Sequence, residues 1–211
     1  MGDRMTSGAK RAHTDDPMAG IEEHRAVVAG MDELVPAVRE LTERMCEAFA
    51  AGHRLYTFGN GGSAADAQHL AAEMIGRYRR ERRPLPAVAL TVDPSVVTCI
   101  GNDYDFDEVF ARQVEGLAEP GDIVIGFSTS GRSPNVVRGL VAAKRVGATA
   151  VLFAGGDGGP ARQQADIALL VPSTTTARIQ EMHLLLLHVL SDGVDIWAAD
   201  GSPEPGPRAD S

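Results

Sequence analysis

His69 and Glu73 stand four residues apart in the segment GNGGSAADAQHLAAE, residues 59–73. On a helix that spacing turns a side chain by only about 40°, so one face presents an imidazole and a carboxylate able to share a proton or a metal. The plainer alternative is a surface or core-edge pair. The residues just before them read as a turn. Gly59, Gly61 and Gly62 reach backbone angles closed to other residues, Ser63 is the expected helix N-cap, and Asp66 follows at the capping-box spacing. Such a turn aims backbone N–H groups and the positive end of a helix at one spot, which favours an anion such as phosphate.

A second stretch of this kind is Ser128-Thr129-Ser130-Gly131-Arg132-Ser133-Pro134. Pro134 suits the first helical position and Ser133 the N-cap, so free N–H groups and the hydroxyls of Ser128, Thr129 and Ser130 could surround a phosphate without a lysine. An ordinary capped turn has the same composition. Gln180, His183 and His188 lie around the apolar run Leu184 to Leu187, where an imidazole needs a hydrogen-bond partner, a metal or a subunit interface. Gln180 and His188 are about 12 Å apart along a helix. Convergence on one metal would therefore require opposed side chains, helix distortion or two subunits, and Gln180 and His183 are the closer neighbours on geometry alone.

The elements that must hold these groups alternate. Apolar residues at three- and four-residue spacings predict helix from Ile21 to Ala51, with Pro36 splitting or kinking it. Strands are expected at Arg54–Phe58, Ala87–Thr91, Ile123–Phe127, Thr149–Phe153 and Ile167–Val171. Helices are expected after the first Gly-rich turn, at Ser95–Ile100, from Phe106 to Leu117, after Pro134 to about Val146, and from Thr175 to about Ala198. Alternating strands and helices imply an α/β doubly wound five-stranded parallel sheet with an N-terminal helical extension. Its ligands belong at the C-terminal strand ends. Both Gly/Ser loops follow strands and so share that edge.

Gly59, Gly61 and Ala64 also satisfy a loose GxGxxA dinucleotide pattern. The acidic partner expected about twenty residues on is missing, because the first acid after the second strand is Asp93. At 211 residues and 44% hydrophobic content the chain supports one domain with a real core, taken as residues 18–200 between a disordered tail at 1–17 and a flexible Pro- and Gly-rich tail at 201–211. No run of eighteen uninterrupted apolar residues occurs, and the polar N-terminus lacks the apolar region of a secretory signal, so the expected place is the cytoplasm, without membrane. A net charge of -9 argues against general nucleic-acid affinity. The local exception is the crowd of Arg77, Arg79, Arg80, Arg82 and Arg83, read as a solvated or inter-subunit surface in preference to a polyanion site. Cys46 and Cys99, with no CxxC spacing, read as buried thiols.

Four stretches together resemble one family: GNGGSAADAQHLAAE at 59–73, LTVDPSVVTCIGNDYDFDEVFARQVE at 90–115, GFSTSGRSPNV at 126–136 and ARIQEMHLLLLH at 177–188. They are similar to the SIS-domain phosphoheptose isomerases, which interconvert sedoheptulose 7-phosphate and a D-glycero-heptose 7-phosphate. The resemblance covers nearly everything between the tails. It implies that Asn60, Gly61, Gly62, Ser63, Asn102, Asp103, Ser128, Thr129, Ser130, Ser133 and Gln180 contact the sugar phosphate, with Glu73 as base and His188 as acid. It further implies a zinc ion, one per subunit, on His69, Glu73, Gln180 and His188, a flavodoxin-like fold and a homotetramer. It prefers His188 to His183, against the simplest single-helix geometry.

Two positions depart from the family pattern. Arg132 stands where Asn is usual, and Thr175, Thr176 and Ala177 supply no acid ahead of Arg178. The alternatives are a non-catalytic SIS-domain regulator that binds a replication initiator and a SIS isomerase of another sugar phosphate. The regulators lack an acid and a histidine at the positions of Glu73 and His188, which favours the enzyme.

Overall fold

The computed structural model describes residues 16–200. Five parallel strands, β1 Leu55–Gly59, β2 Ala87–Ala89, β3 Ile123–Ser128, β4 Thr149–Gly155 and β5 Ile167–Val171, lie in the order β2-β1-β3-β4-β5. The chain steps outward from β1 to β2, then returns to the other side of β1 for β3. The topological switch point therefore falls between β1 and β3, whose C-terminal ends carry the two Gly/Ser loops.

Strand side chains alternate between two cores, as the pleat requires. Leu55, Ile123, Ile125, Phe127, Phe153 and Leu169 pack beneath α2 Val35–Ala50, α3 Gly62–Ile75 and α7 Thr176–Ala199. Tyr56, Phe58, Val124 and Leu152 pack beneath α5 Ala111–Leu117 and α6 Pro134–Arg145. The remaining helices are α1 Pro17–Val28 and α4 Pro94–Asp103. Asp16 caps α1 and Pro17 opens it; otherwise the expectations for residues 1–17 and 201–211 lie outside the described residues.

The N-terminal helical stretch splits ahead of its proline. A 3-10 turn at Met31–Leu34 separates α1 from α2, and Pro36 sits in the first turn of α2, where a missing N–H costs nothing. The stretch from Phe106 also divides, into a 3-10 turn at Phe106–Glu108 and α5. Asp93 is the N-cap of α4, accepting the N–H groups of Ser95 at 2.9 Å and Val96 at 3.1 Å. Neither thiol is buried as expected: Cys46 is half-buried and Cys99 exposed. Burial, with Glu47 and Glu43 adding to it, pushes the Cys46 thiol up to about 11.

Among the described residues α7 is the one helix long and apolar enough to cross a membrane by length and composition. Its apolar stripe instead joins the core against α2 and α3, and it buries His183 and Asp195.

Candidate active site at the C-terminal edge of the sheet

The turn after β1 departs from the expected cap. Gly61, with φ 55, is the N-cap of α3, and Ser63 is buried inside the first turn without a capping bond. A positive φ at the cap suits glycine, so the cap lies two residues before the serine and the helix starts at Gly62. Asp66 is consequently no capping-box acid. It lies one turn into α3, and one of its carboxylate oxygens is buried without a hydrogen-bond partner. Burial pushes its carboxyl up to about 6, against the opposing pull of His69.

One turn further along α3, His69 Nε2 lies 2.9 Å from Glu73 Oε1. His188 approaches from α7, its Nε2 only 3.4 Å from His69 Nε2. The ligand atoms of His69, Glu73 and His188 all lie within 4.8 Å of one another. Tyr78, in the segment after α3, stacks on His188 at 5.3 Å between centroids and 21° between planes.

Gln180 does not join this group within one chain. It lies two helical turns before His188, and its carboxamide fills the space beside Gly62, where any Cβ would collide with it. His183 turns into the core, packs edge-on against Phe127 and Phe153 and contacts the Ala154 carbonyl at 3.4 Å. Burial holds it neutral, pulling its pKa down to about 4.

The second loop follows β3. Ser133 occupies the N-cap position of α6, but its hydroxyl makes no capping bond and lies 3.4 Å from Ser128 Oγ, while its carbonyl accepts the N–H groups of Val136 and Val137 at 3.1 Å. Gly131, at φ 61, packs directly on the backbone of Gly158, which braces the loop against the end of β4. Thr129, Ser130 and Arg132 line a cavity of about 450 Å3 with Gly155, Ser173 and Thr176. Thr176 thus brings a hydroxyl close to the position of the missing acid. Arg132 pairs with Asp157 at 3.0 Å on the cavity's outer wall.

Asn60 ties the first loop to the start of α6 through reciprocal 2.9 Å amide bonds with Asn135. Asn102 and Asp103 are exposed at the end of α4 and bond to each other at 2.8 Å. That bond, with a second from Cys99, holds the Asp103 carboxyl below its usual range.

The sequence matches the SIS domain over residues 21–155. Among curated proteins, the phosphoheptose isomerase of Trichlorobacter lovleyi is 48% identical over 187 residues, covering 86% of this chain and 95% of that protein. The phosphoheptose isomerase of Aquifex aeolicus is 55% identical over 151 residues, covering 72% and 79% respectively. The chain belongs to the SIS-domain phosphoheptose isomerase family.

The fold agrees. The phosphoheptose isomerase structure from Neisseria gonorrhoeae superposes with a TM-score of 0.80 at 41% identity, over 85% of this chain and 96% of that one. Arg77, Arg79 and Arg80 are exposed, in line with a solvated surface, whereas the Arg82 side chain turns inward and is fully buried against Asp195 at 2.7 Å. That pair was invisible in the sequence, as was Tyr78; an intramolecular partner for Arg82 had to lie among distant acids, and nothing in the local pattern selects Asp195.

Proposed function

We propose that this isomerase interconverts sedoheptulose 7-phosphate and D-glycero-heptose 7-phosphate through an enediol. The observation that carries the reading is the meeting of Glu73, His69 and His188 within 4.8 Å, on two helices that also flank the Gly-rich turn. Aldose-ketose isomerisation moves one proton between C1 and C2 while the oxygens exchange another. The Glu73 carboxylate takes the carbon-bound proton and returns it to the neighbouring carbon. His188 carries the proton between the two oxygens. The loop from Ser128 to Ser133 holds the phosphate, with Gly61, Gly62 and Ser63 at the adjoining helix start. Asn60, Asn102 and Asp103 offer donors and acceptors to the sugar hydroxyls. Fixing the phosphate fixes the reacting carbons over the base.

The three clustered groups fit zinc. Two imidazole nitrogens facing each other, plus a carboxylate, form a donor set of the three-ligand kind that leaves an open position. A divalent metal held by His69, Glu73 and His188 would supply Lewis-acid stabilisation of negative charge developing on the substrate. Gln180 serves the sugar-phosphate end of its own chain. As a fourth metal ligand it would come from a neighbouring subunit, in keeping with a homotetramer. The exposed apolar side chains of α7, Leu184, Leu185, Val189 and Ile196, support such an assembly. We place the enzyme in the cytoplasm, with no nucleic-acid partner.

NMR in deuterated water with sedoheptulose 7-phosphate, on metal-depleted and zinc-supplied protein, tests this. Deuterium entering C2 of an aldose product, dependent on zinc, is expected. A folded protein inert in both samples would turn the reading to another sugar phosphate or to the regulatory alternative. A fully active monomer would remove the tetramer.

A further inference from the structure

Asp195 and Arg82 form a closed polar unit between the two helices that carry the site. Both side chains are fully buried. One Asp195 carboxylate oxygen accepts the backbone N–H groups of Arg79 at 2.6 Å and Arg80 at 2.8 Å, and the other accepts Arg82 Nε at 2.7 Å. The remaining Arg82 nitrogens donate to the carbonyls of Glu73 at 2.6 Å and of Met74 and Arg83 at 2.9 Å. The guanidinium thus caps the last turn of α3, the turn bearing Glu73, while the carboxylate stands two turns beyond His188 on α7. Burial alone would raise the Asp195 carboxyl, but the bonds from Arg80, Arg79 and Arg82 bring it below its usual range, so it is ionised here.

Between the two ends of this unit hangs Tyr78. Its own N–H points at Asp195, 3.5 Å away, and its ring lies on the His188 imidazole. Arg79 covers the same ring at 5.8 Å and reaches toward Asp192. A segment with five arginines would otherwise repel itself and leave the site. Here its backbone is pinned by a single buried carboxylate.

We propose that Asp195 and Arg82 are positioning residues for the isomerase site: they fix the segment 78–82 so that Tyr78 sets the plane of the His188 imidazole opposite His69 and Glu73. This inference rests on the assignment of Glu73 and His188 made above. Neither Asp195 nor Arg82 need touch substrate, and Tyr78 acts through His188.

The test follows the His188 ring-proton NMR signal, kcat and KM in Asp195→Asn, Tyr78→Leu, Tyr78→Phe and the Asp195→Asn/Tyr78→Leu double variant. Tyr78→Phe keeps the stacked ring and should retain wild-type values. Tyr78→Leu and Asp195→Asn should each move the His188 signal and lower kcat about tenfold, with KM within about twofold. The double variant should lose no more than the worse single one, because both act through one contact. Where Asp195→Asn does not fold, Asp195→Glu keeps the charge on a longer arm and should move the same signal. A folded Asp195 variant with an unmoved His188 signal and wild-type kcat, or additive losses in the double variant, would overturn the proposal. The NMR signal requires neither substrate nor metal. Wild-type protein inert on sedoheptulose 7-phosphate would therefore count against the substrate assignment alone.

Discussion

The two loops at the switch point open onto surroundings built from opposite materials. After β3, the cavity is lined by the hydroxyl residues Thr129, Ser130, Ser173 and Thr176, and the charge at its wall, Arg132, is paired with Asp157. After β1, the groove between α3 and α7 gathers ionisable groups: Asp66, His69, Glu73 and His188. Dipoles and hydroxyls bind phosphate by geometry and do not titrate near neutral pH. Imidazoles and carboxylates are the groups that move protons. The proposed function divides binding and chemistry between these two surroundings, so substitutions in the two should separate in KM and kcat.

The largest effect belongs to the groove. Glu73→Gln should lower kcat by about a thousandfold while sugar-phosphate binding persists, since a carboxamide cannot accept the carbon-bound proton. Near-normal turnover measured with sedoheptulose 7-phosphate would move the base elsewhere. Ser130→Ala, in the cavity, should instead raise KM about tenfold and spare kcat, and equal losses in both parameters would erase the contrast.

His183 extends the comparison to a histidine outside the groove. Its folded pKa of about 4 lies below the ordinary imidazole value, so its contribution is complete above pH about 6.5 and is lost as pH falls through 4. Urea unfolding across that range should show an acid limb of about 3 kcal/mol that His183→Gln flattens. An unchanged limb would assign the acid sensitivity to other groups.

The smallest effect is a gain. Asp66, raised to about 6, favours the fold while protonated, and that contribution disappears as pH rises from about 4 through 6. Because its carboxyl is only half-buried, the cost at neutral pH is discounted for screening to about 1 kcal/mol. Asp66→Asn should therefore stabilise the protein at pH 7.5 and make little difference at pH 4, read by thermal unfolding. A loss of stability at pH 7.5 would show that the carboxylate has a partner it needs.

The sequence exposed what depends on short spacing. Strand and helix alternation, both loops, and the His69–Glu73 pair follow from residues within one turn or one pleat of each other. Helix starts were less legible, because a cap is chosen by backbone angle: Gly61, not Ser63, accommodates the turn. The Arg82–Asp195 pair joins positions 113 residues apart. A charge crowd looks solvated until the fold brings a buried carboxylate to it. Gln180 shows the same limit from the other side. Helical rise alone put it about 12 Å from His188, and the structure seats it against Gly62.

Helix α7 runs unbroken from Thr176 to Ala199, presenting Gln180 near one end, His188 in the middle and Asp195 toward the other. Each added or deleted residue in a helix rotates everything beyond it by about 100°. A single insertion between Gln180 and His188 would therefore carry His188 and Asp195 away from α3 together, while leaving Gln180 in register beside Gly62. The spacing along α7 is in this sense a reading frame for the site, tolerant of changed side chains and intolerant of changed length.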